Sequence, residues 1–212
     1  VIKLPDCLPP APLQRGIGRV TNLLSNMNQK KVVLAFSGGL DTTYCTIYLI
    51  QVLGMEVHAV TVQTGGFSPE DLRQIESRAR KLGVASFTVV DVTRQYYDTC
   101  IRYLIYGNVL KNGTYPLSVS AERMNQAIAV AEYAQQIGAD AVAHGSTGAG
   151  NDQVRFDMVF QSMLPGVEII TPIRDQRLSR DAEIAFLKEK GVDMDFAKAA
   201  YSINKGLWGT SV

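Results

Sequence analysis

Short apolar runs alternate with longer amphipathic segments along most of the chain. The runs are rich in β-branched residues and too continuous for half-exposed strands, so they predict buried parallel strands. They are VVLAF (32–36), VHAVTV (57–62), FTVV (87–90), AVAH (141–144) and VEII (167–170). Strands that alternate with helices favour right-handed βαβ units. The pattern therefore predicts an α/β fold of the Rossmann-like kind, with an open parallel sheet and helices on both faces.

The helical segments carry recognisable boundary residues. Ser68, Pro69 and Asp71 match an N-cap, a first-turn proline and a capping-box acid. Two further helices are expected to begin at a serine cap and to end at a glycine; they run from Ser120 to Gly138 and from Ser179 to Gly191. In open parallel sheets, ligands bind outside the carboxyl ends of the strands. The loops that follow VVLAF and AVAH should therefore share one edge.

Residues 1–30 differ in composition from the rest of the chain. They contain four of the eight prolines and little periodicity, which predicts an extended N-terminal arm. Residues 31–212 are expected to form one domain. The chain begins with Val1 and ends on LWGTSV without a helix stop, so we expect both ends to be cut from something longer.

Composition limits the classes of partner. Lys and Arg total 21 against 20 Asp and Glu, so there is no basic footprint and we expect no nucleic-acid partner. No apolar run approaches the roughly 18 residues of a membrane helix, so we expect no membrane partner. Cys7, Cys45 and Cys100 are far apart in the chain, which suits neither a disulfide framework nor a zinc site and fits a reducing cytosol best.

The loop after the first predicted strand has the composition of a phosphate site. Two glycines allow close backbone approach, and hydroxyl groups and free N–H groups at a helix start can face an anion. The loop is Ser37-Gly38-Gly39-Leu40-Asp41-Thr42-Thr43. It lacks the lysine of GxxxxGK[ST] and does not match GxGxxG. With Asp41 helping to hold Mg²⁺, it suits a pyrophosphate leaving group; the alternative is an ordinary glycine turn with Asp41 as a helix cap.

The loop after AVAH has the composition of a zwitterion site. Its glycines let the backbone approach a ligand closely, and polar residues follow them. Asp152 can take an ammonium group and Arg155 a carboxylate, while Asn151 offers both a donor and an acceptor. The alternative is a glycine turn with Asn151 or Asp152 as N-cap and Arg155 in a surface ion pair. His144 is interpreted as a structural histidine, with acid-base catalysis as the alternative.

Several motifs resemble known families. SGGLDT is similar to the pyrophosphate loop of the N-type ATP pyrophosphatases, whose fold is of the adenine nucleotide alpha hydrolase type. AHGSTGAGNDQVRF resembles the second signature of the argininosuccinate synthase family, which reads approximately HGxTGKGNDQVRF, with Ala149 in place of the lysine. TYPLSVSAER (114–123) and YSINKGLWGTS (201–211) resemble two citrulline-contacting segments of that family. The resemblance covers roughly residues 31–212, and it implies an ATP pyrophosphatase-type nucleotide-binding domain there that is truncated before a second domain.

The resemblance implies a role for each matching residue. Asp41 and Asp152 would take part in catalysis. The ATP-binding residues would be Ala35, Phe36, Ser37, Gly38, Gly39, Leu40, Asp41, Thr42, Thr43, Val62 and Gly145. The aspartate-binding residues would be Thr147, Asn151 and Asp152. The citrulline-binding residues would be Tyr115, Ser120, Asn151, Arg155, Ser202 and Ser211.

The resemblance also implies an activity. It is the ATP-dependent ligation of citrulline and aspartate to argininosuccinate, through a citrullyl-adenylate and with release of AMP and pyrophosphate, in arginine biosynthesis and the urea cycle. The implied cofactors are ATP and Mg²⁺, and the implied assembly is a homotetramer. Two alternatives are a tRNA thiolase of the same superfamily and a non-catalytic ATP-binding fragment. The thiolase would require catalytic cysteines and a basic surface, which this sequence does not supply.

Overall fold

The computed structural model describes residues 29–196 and 204–211. Apart from residues 29 and 30, the arm predicted for residues 1–30 lies outside the described residues, as does Ser202. The described chain contains a five-stranded sheet in which all pairs are parallel, in the order β3-β2-β1-β4-β5. The strands are β1 (Lys31–Ala35), β2 (Glu56–Gln63), β3 (Ser86–Asp91), β4 (Ala141–Ala143) and β5 (Glu168–Ile170). The predicted open parallel sheet is confirmed.

Helices cover both faces of this sheet, as predicted. The α-helices of the described chain are α1 (Leu40–Ile47), α2 (Pro69–Lys81), α3 (Thr93–Tyr96), α4 (Arg102–Tyr106), α5 (Ser118–Ile137), α6 (Asp152–Met163), α7 (Pro172–Asp175) and α8 (Arg180–Glu189). A π-helical turn, Tyr48–Val52, continues α1, and another, Tyr97–Ile101, joins α3 to α4. One buried apolar cluster contains Val32, Leu34 and residues of α1, α2 and α8. The other contains Val33 and residues of α5 and α6. Consecutive residues of β1 thus point to opposite layers, which is the alternation of a strand buried on both faces.

Burial differs between the centre and the edges of the sheet. Residues 32–34 of β1 and all of β4 are buried, as the apolar runs predict. The expectation of full burial is wrong for β3, where Val89 is 39% exposed. β3 lies at the edge of the sheet, so fewer neighbouring elements cover it. Sequence alone does not show which runs become edge strands.

The predicted helix boundaries hold at two helices and fail at a third. The Ser68 side chain accepts a hydrogen bond from the Asp71 amide in a complete capping box, and Ser179 caps α8. Ser120 does not cap a helix, because α5 already begins at Ser118, after Leu117 in the left-handed region at φ 55°. The Ser120 hydroxyl instead accepts a hydrogen bond from Arg155 Nη2 at 2.9 Å.

A hairpin, β6 (Asn204–Gly206) and β7 (Gly209–Ser211), packs beside the carboxyl end of β2. The Leu207 amide donates to the Thr64 carbonyl at 3.0 Å, and Trp208 Nε1 donates to the Pro116 carbonyl at 3.0 Å. A Cβ atom on Gly206 would lie 2.3 Å from Oε2 of the buried Glu122. A side chain at this position would therefore force the Glu122 carboxyl out of its place.

Replacing Gly206 by alanine is expected to weaken the docking of the hairpin by about 1–3 kcal/mol, the usual cost of overpacking. Trp208 is the only tryptophan of the chain, so its fluorescence during urea unfolding reports the docking directly. Adding Glu122→Ala to Gly206→Ala should recover part of the loss, because the obstructing carboxylate is removed. An unchanged fluorescence transition in the single variant would contradict this account.

No helix in the described part of the chain is long and apolar enough to cross a membrane.

Candidate functional site

Two loops meet at the carboxyl end of the sheet, where the strand order reverses. One follows β1 and the other follows β4, and these strands are neighbours. A Cβ atom on Gly145 would lie 3.2 Å from Asp41 Cβ and 3.3 Å from the Thr42 amide nitrogen. The two loops predicted to share an edge thus come into contact. A crevice at such a reversal is the usual place for a nucleotide in open α/β sheets.

The first loop leads directly into α1, whose N-cap residue is a glycine. Gly38 has φ +73°, in the left-handed region that favours glycine, and its carbonyl accepts a hydrogen bond from the Arg78 guanidinium. Gly39 occupies the N-cap position of α1, so Asp41, which is the second residue of the helix, is not its N-cap. The Asp41 carboxyl instead accepts a hydrogen bond from its own backbone amide. Amides at an uncapped helix start can bind an anion, and the dipole of the helix favours one.

The Asp41 carboxyl is paired with another acid, which sequence reasoning missed. Glu183 of α8 is 1% exposed, and its carboxyl lies beside that of Asp41. Burial raises the pKa of both carboxyls, while the positive charge of Arg180 lowers them. Nothing in the local sequence marks Glu183, because it lies in an ordinary amphipathic helix and its partner is far away in the chain.

The second loop and the start of α5 are joined by a charged network. Arg155 Nη1 lies 2.6 Å from Asp152 Oδ1, and its Nη2 donates to the Ser120 hydroxyl. Arg123 Nε donates to Asp152 Oδ2 at 3.2 Å. The structure therefore brings three of the predicted substrate residues together. Arg123 was not predicted, although its spacing of three residues from Ser120 on one helix was a usable signal.

His144 is 1% exposed and has partners on both ring nitrogens. The Ser146 amide donates to Nδ1 at 3.2 Å, so Nε2 carries the proton and donates to Asp157 Oδ1 at 3.1 Å. Asp157 also accepts a hydrogen bond from Arg174. This arrangement favours the structural interpretation of His144 over acid-base catalysis, because neither nitrogen is available to a substrate.

Replacing Asp157 by asparagine is expected to lower the free energy of unfolding at pH 7 by about 1–3 kcal/mol, since charge-assisted hydrogen bonds are lost. The hydrogen bond from His144, and then that from Arg174, hold the pKa of Asp157 below its usual value. The ionised form thus stabilises the fold above about pH 4, and this stability is lost as the pH falls through the lowered pKa.

The effect would be measured by urea unfolding between pH 3 and pH 7. This span includes the usual pKa of an aspartate carboxyl, which is about 4. Asp157→Asn should show a shallower loss of stability in acid than the parent protein. Glu189→Gln is the matched control, because the Glu189 side chain is 74% exposed. Equal acid dependence in the parent protein and Asp157→Asn would contradict the prediction.

The remaining predicted residues surround the two loops or the hairpin. Ala35 ends β1, and the Phe36 amide donates to the Val60 carbonyl at 2.8 Å. Val62 is buried in the core near the end of β2. In the second loop, the Thr147 hydroxyl donates to the Ala149 carbonyl at 3.2 Å, and Asn151 is at the N-cap position of α6. The Tyr115 hydroxyl accepts a hydrogen bond from the Val119 amide at 3.2 Å, and Ser211 is the last residue of β7. Their roles in binding remain predictions.

Two comparisons with known proteins agree with this geometry. The profile of the arginosuccinate synthase N-terminal HUP domain matches residues 31–193. The argininosuccinate synthase of Saccharolobus solfataricus is 43% identical over 182 residues, which cover 86% of this chain and 46% of the relative. That of Methanococcus maripaludis is 43% identical over 189 residues, 88% of this chain and 47% of the relative. The chain spans about half the length of these curated relatives, and it belongs to the argininosuccinate synthase family.

Proposed function

We propose that this chain supplies the ATP site and part of the amino-acid site of an enzyme that ligates citrulline and aspartate with release of AMP and pyrophosphate. The observation that carries the proposal is the contact between the two loops at Gly145 and Asp41. One loop ends in a helix start with a glycine at the N-cap, which suits a pyrophosphate, and the other carries the charged side chains that suit amino-acid substrates.

At the nucleotide end, the first loop receives the β- and γ-phosphates. The uncapped amides after Gly39 point their dipoles at the leaving group, and the hydroxyls of Ser37 and Thr42 lie 3.4 Å apart beside them. These donors become most favourable as negative charge develops on the departing pyrophosphate. Thr43 donates to the Gly39 carbonyl at 2.7 Å and so fixes the first turn of α1.

At the substrate end, Arg155 orients the carboxylate of citrulline, with Ser120 beside it. The ureido oxygen then attacks the α-phosphorus and the bond to pyrophosphate breaks. The aspartate amine attacks the ureido carbon, loses a proton and displaces AMP. Asp152, with Thr147 and Asn151 nearby in the chain, binds the aspartate. Holding the reactants in one crevice supplies most of the rate gain.

Magnesium is proposed to accompany the nucleotide. Mg²⁺ is commonly held by substrate phosphates with only one or two carboxylates. Asp41 would be one of these carboxylates, since it lies in the first turn of α1 beside Gly145 of the second loop. Among the described residues there is no group of three or more His, Cys, Asp or Glu that could hold a metal.

The setting of the reaction belongs to the same proposal. We place it in the cytosol, in arginine biosynthesis and the urea cycle, and in a homo-oligomer. Cys45 and Cys100 are free thiols, which suits a reducing compartment. Burial raises the pKa of Cys45, so this thiol is a core residue and not a nucleophile.

The test is pyrophosphate release from ATP with citrulline and aspartate, each omitted in turn, together with ATP binding by titration calorimetry. Release that requires citrulline supports the ligase. Release that requires neither amino acid contradicts it. ATP binding without release under any condition would assign this chain the role of a nucleotide-binding module.

A further inference from the structure

A continuous chain of hydrogen bonds runs from the end of β2 to the second loop. Thr64 Oγ1 donates to Glu122 Oε1 at 2.6 Å, and Gln126 Nε2 donates to the same oxygen at 3.0 Å. Gln126 Oε1 accepts a hydrogen bond from Arg123 Nη1 at 2.6 Å. Arg123 Nε in turn donates to Asp152 of the proposed amino-acid site. Glu122 is thus connected to that site without being part of it.

The side-chain amide of Gln126 has one orientation that satisfies both of its neighbours. Arg123 can only donate hydrogen bonds, so the Gln126 atom that faces it must be the carbonyl oxygen. The amide nitrogen of Gln126 is then turned toward Glu122 and needs an acceptor there. The Glu122 carboxyl therefore allows Gln126 to keep the orientation that Arg123 requires.

Glu122 is a buried acid that packs between two parts of the fold. It is 4% exposed, and a Cβ atom on Gly206 of the hairpin would lie 2.3 Å from its Oε2. Burial raises the pKa of Glu122, while the hydrogen bond from Thr64 and the charge of Arg123 lower it. Burial of a carboxylate costs several kcal/mol unless it is paired. An apolar side chain would fill this place at a lower cost, so the carboxyl indicates a role beyond packing.

The part of α5 that carries Glu122 also carries two residues of the charged network. Ser120 and Arg123 both contact residues of α6, whereas Glu122 contacts Thr64 and the hairpin. Leu117 precedes this part of the helix and makes no side-chain capping bond. The hydrogen bond from Thr64 to Glu122 therefore fastens the turn that holds Ser120 and Arg123 to the end of β2.

We propose that Glu122 is a positioning residue of the amino-acid site. Through Gln126 it orients Arg123, and Arg123 holds the Asp152 carboxylate, to which Arg155 is bound at 2.6 Å. The proposal rests on the amino-acid site proposed above. Side chains that are held in place before a ligand arrives lose less conformational freedom on binding. Glu122 thus contributes to citrulline affinity without touching citrulline.

Two replacements break the chain of hydrogen bonds at successive links. Glu122→Leu removes the acceptor, and Gln126→Leu removes the connection to Arg123. Each should weaken citrulline binding about tenfold, the order of one lost hydrogen bond to a charged group. The double variant should also lose about tenfold, because both changes remove the same connection.

Two further variants serve as the conservative replacement and the control. Glu122→Gln keeps an acceptor oxygen on a side chain of the same size, so it should bind citrulline within about threefold of the parent protein. Glu132→Leu is the matched control, because Glu132 is an exposed residue of the same helix, and it should leave citrulline affinity unchanged.

Titration of citrulline into the ATP-bound protein, and of ATP into the free protein, separates positioning from folding. ATP affinity should stay within about twofold in both leucine variants, since distant sites with no shared partners behave independently. Unchanged citrulline affinity in Glu122→Leu would overturn the proposal, and so would an equal loss of ATP and citrulline affinity. If Glu122→Leu does not fold, Gln126→Leu decides by the same two criteria, because Gln126 is only partly buried.

Nitrogen NMR of the arginine side chains gives a measurement without any ligand. The Arg123 Nε–H group, which donates to Asp152, should exchange its proton with water faster in Glu122→Leu than in the parent protein. If the parent protein binds neither ATP nor citrulline, the proposed function fails, and an unchanged exchange rate would still overturn the orienting role of Glu122. If the parent protein binds citrulline and Glu122→Leu binds it equally well, the proposed site stands and the positioning role fails.

Discussion

Gly145→Ala is expected to weaken ATP binding about tenfold, and Gly145→Val to weaken it further. The added Cβ would lie 3.2 Å from Asp41 Cβ and 3.3 Å from the Thr42 amide nitrogen, closer than ordinary contact. The first turn of α1 cannot easily retreat, because α8 packs behind it through Glu183 and Phe186. Overpacking of this kind costs about 1–3 kcal/mol, and each 1.4 kcal/mol is tenfold in affinity.

Titration calorimetry with ATP would measure the change, and the second loop offers a matched control. A Cβ on Gly148 would meet only Arg174 Cγ at 3.8 Å, which is ordinary contact, so Gly148→Ala should have a clearly smaller effect. Equal losses in the two alanine variants would mean that the loop, and not the contact with α1, determines the affinity.

The parts of the site that are local in sequence could be predicted, and those that depend on packing could not. Glycines, hydroxyls and a helix start lie next to one another in residues 37–43, so the phosphate loop is visible in the sequence. The pairing of Asp41 with Glu183 joins two helices that are far apart in the chain, and no local pattern encodes it.

Ser120 shows how a tertiary contact overrides a local preference. Serine is a good N-cap, and the apolar periodicity that follows it favoured a helix start at that residue. The helix begins earlier because Leu117 adopts the left-handed conformation, and the Ser120 hydroxyl is used by Arg155 instead. The failed cap prediction and the substrate prediction therefore concern the same oxygen atom.

Arg155→Ala is expected to weaken citrulline binding about 10- to 100-fold, because hydrogen bonds to charged groups are worth about 1.5–3 kcal/mol each. Arg155 holds the Ser120 hydroxyl and Asp152 with two different nitrogens, so its guanidinium is already oriented before a substrate arrives. Asp152 keeps its bond to Arg123 in the variant, so the second loop should remain in place. Titration of citrulline into the ATP-bound protein would measure the loss.

Arg155→Lys separates geometry from charge. Lysine keeps the positive charge but lacks the planar fork that contacts two partners at once, so most of the loss should remain. ATP affinity should change little in either variant, because the phosphate loop lies on the other side of the Gly145 contact and shares no hydrogen bond with Arg155 among the described residues. Full citrulline affinity in Arg155→Lys would show that the site recognises charge alone. A parallel loss of ATP affinity would show that Arg155 supports the two loops and does not select the amino acid.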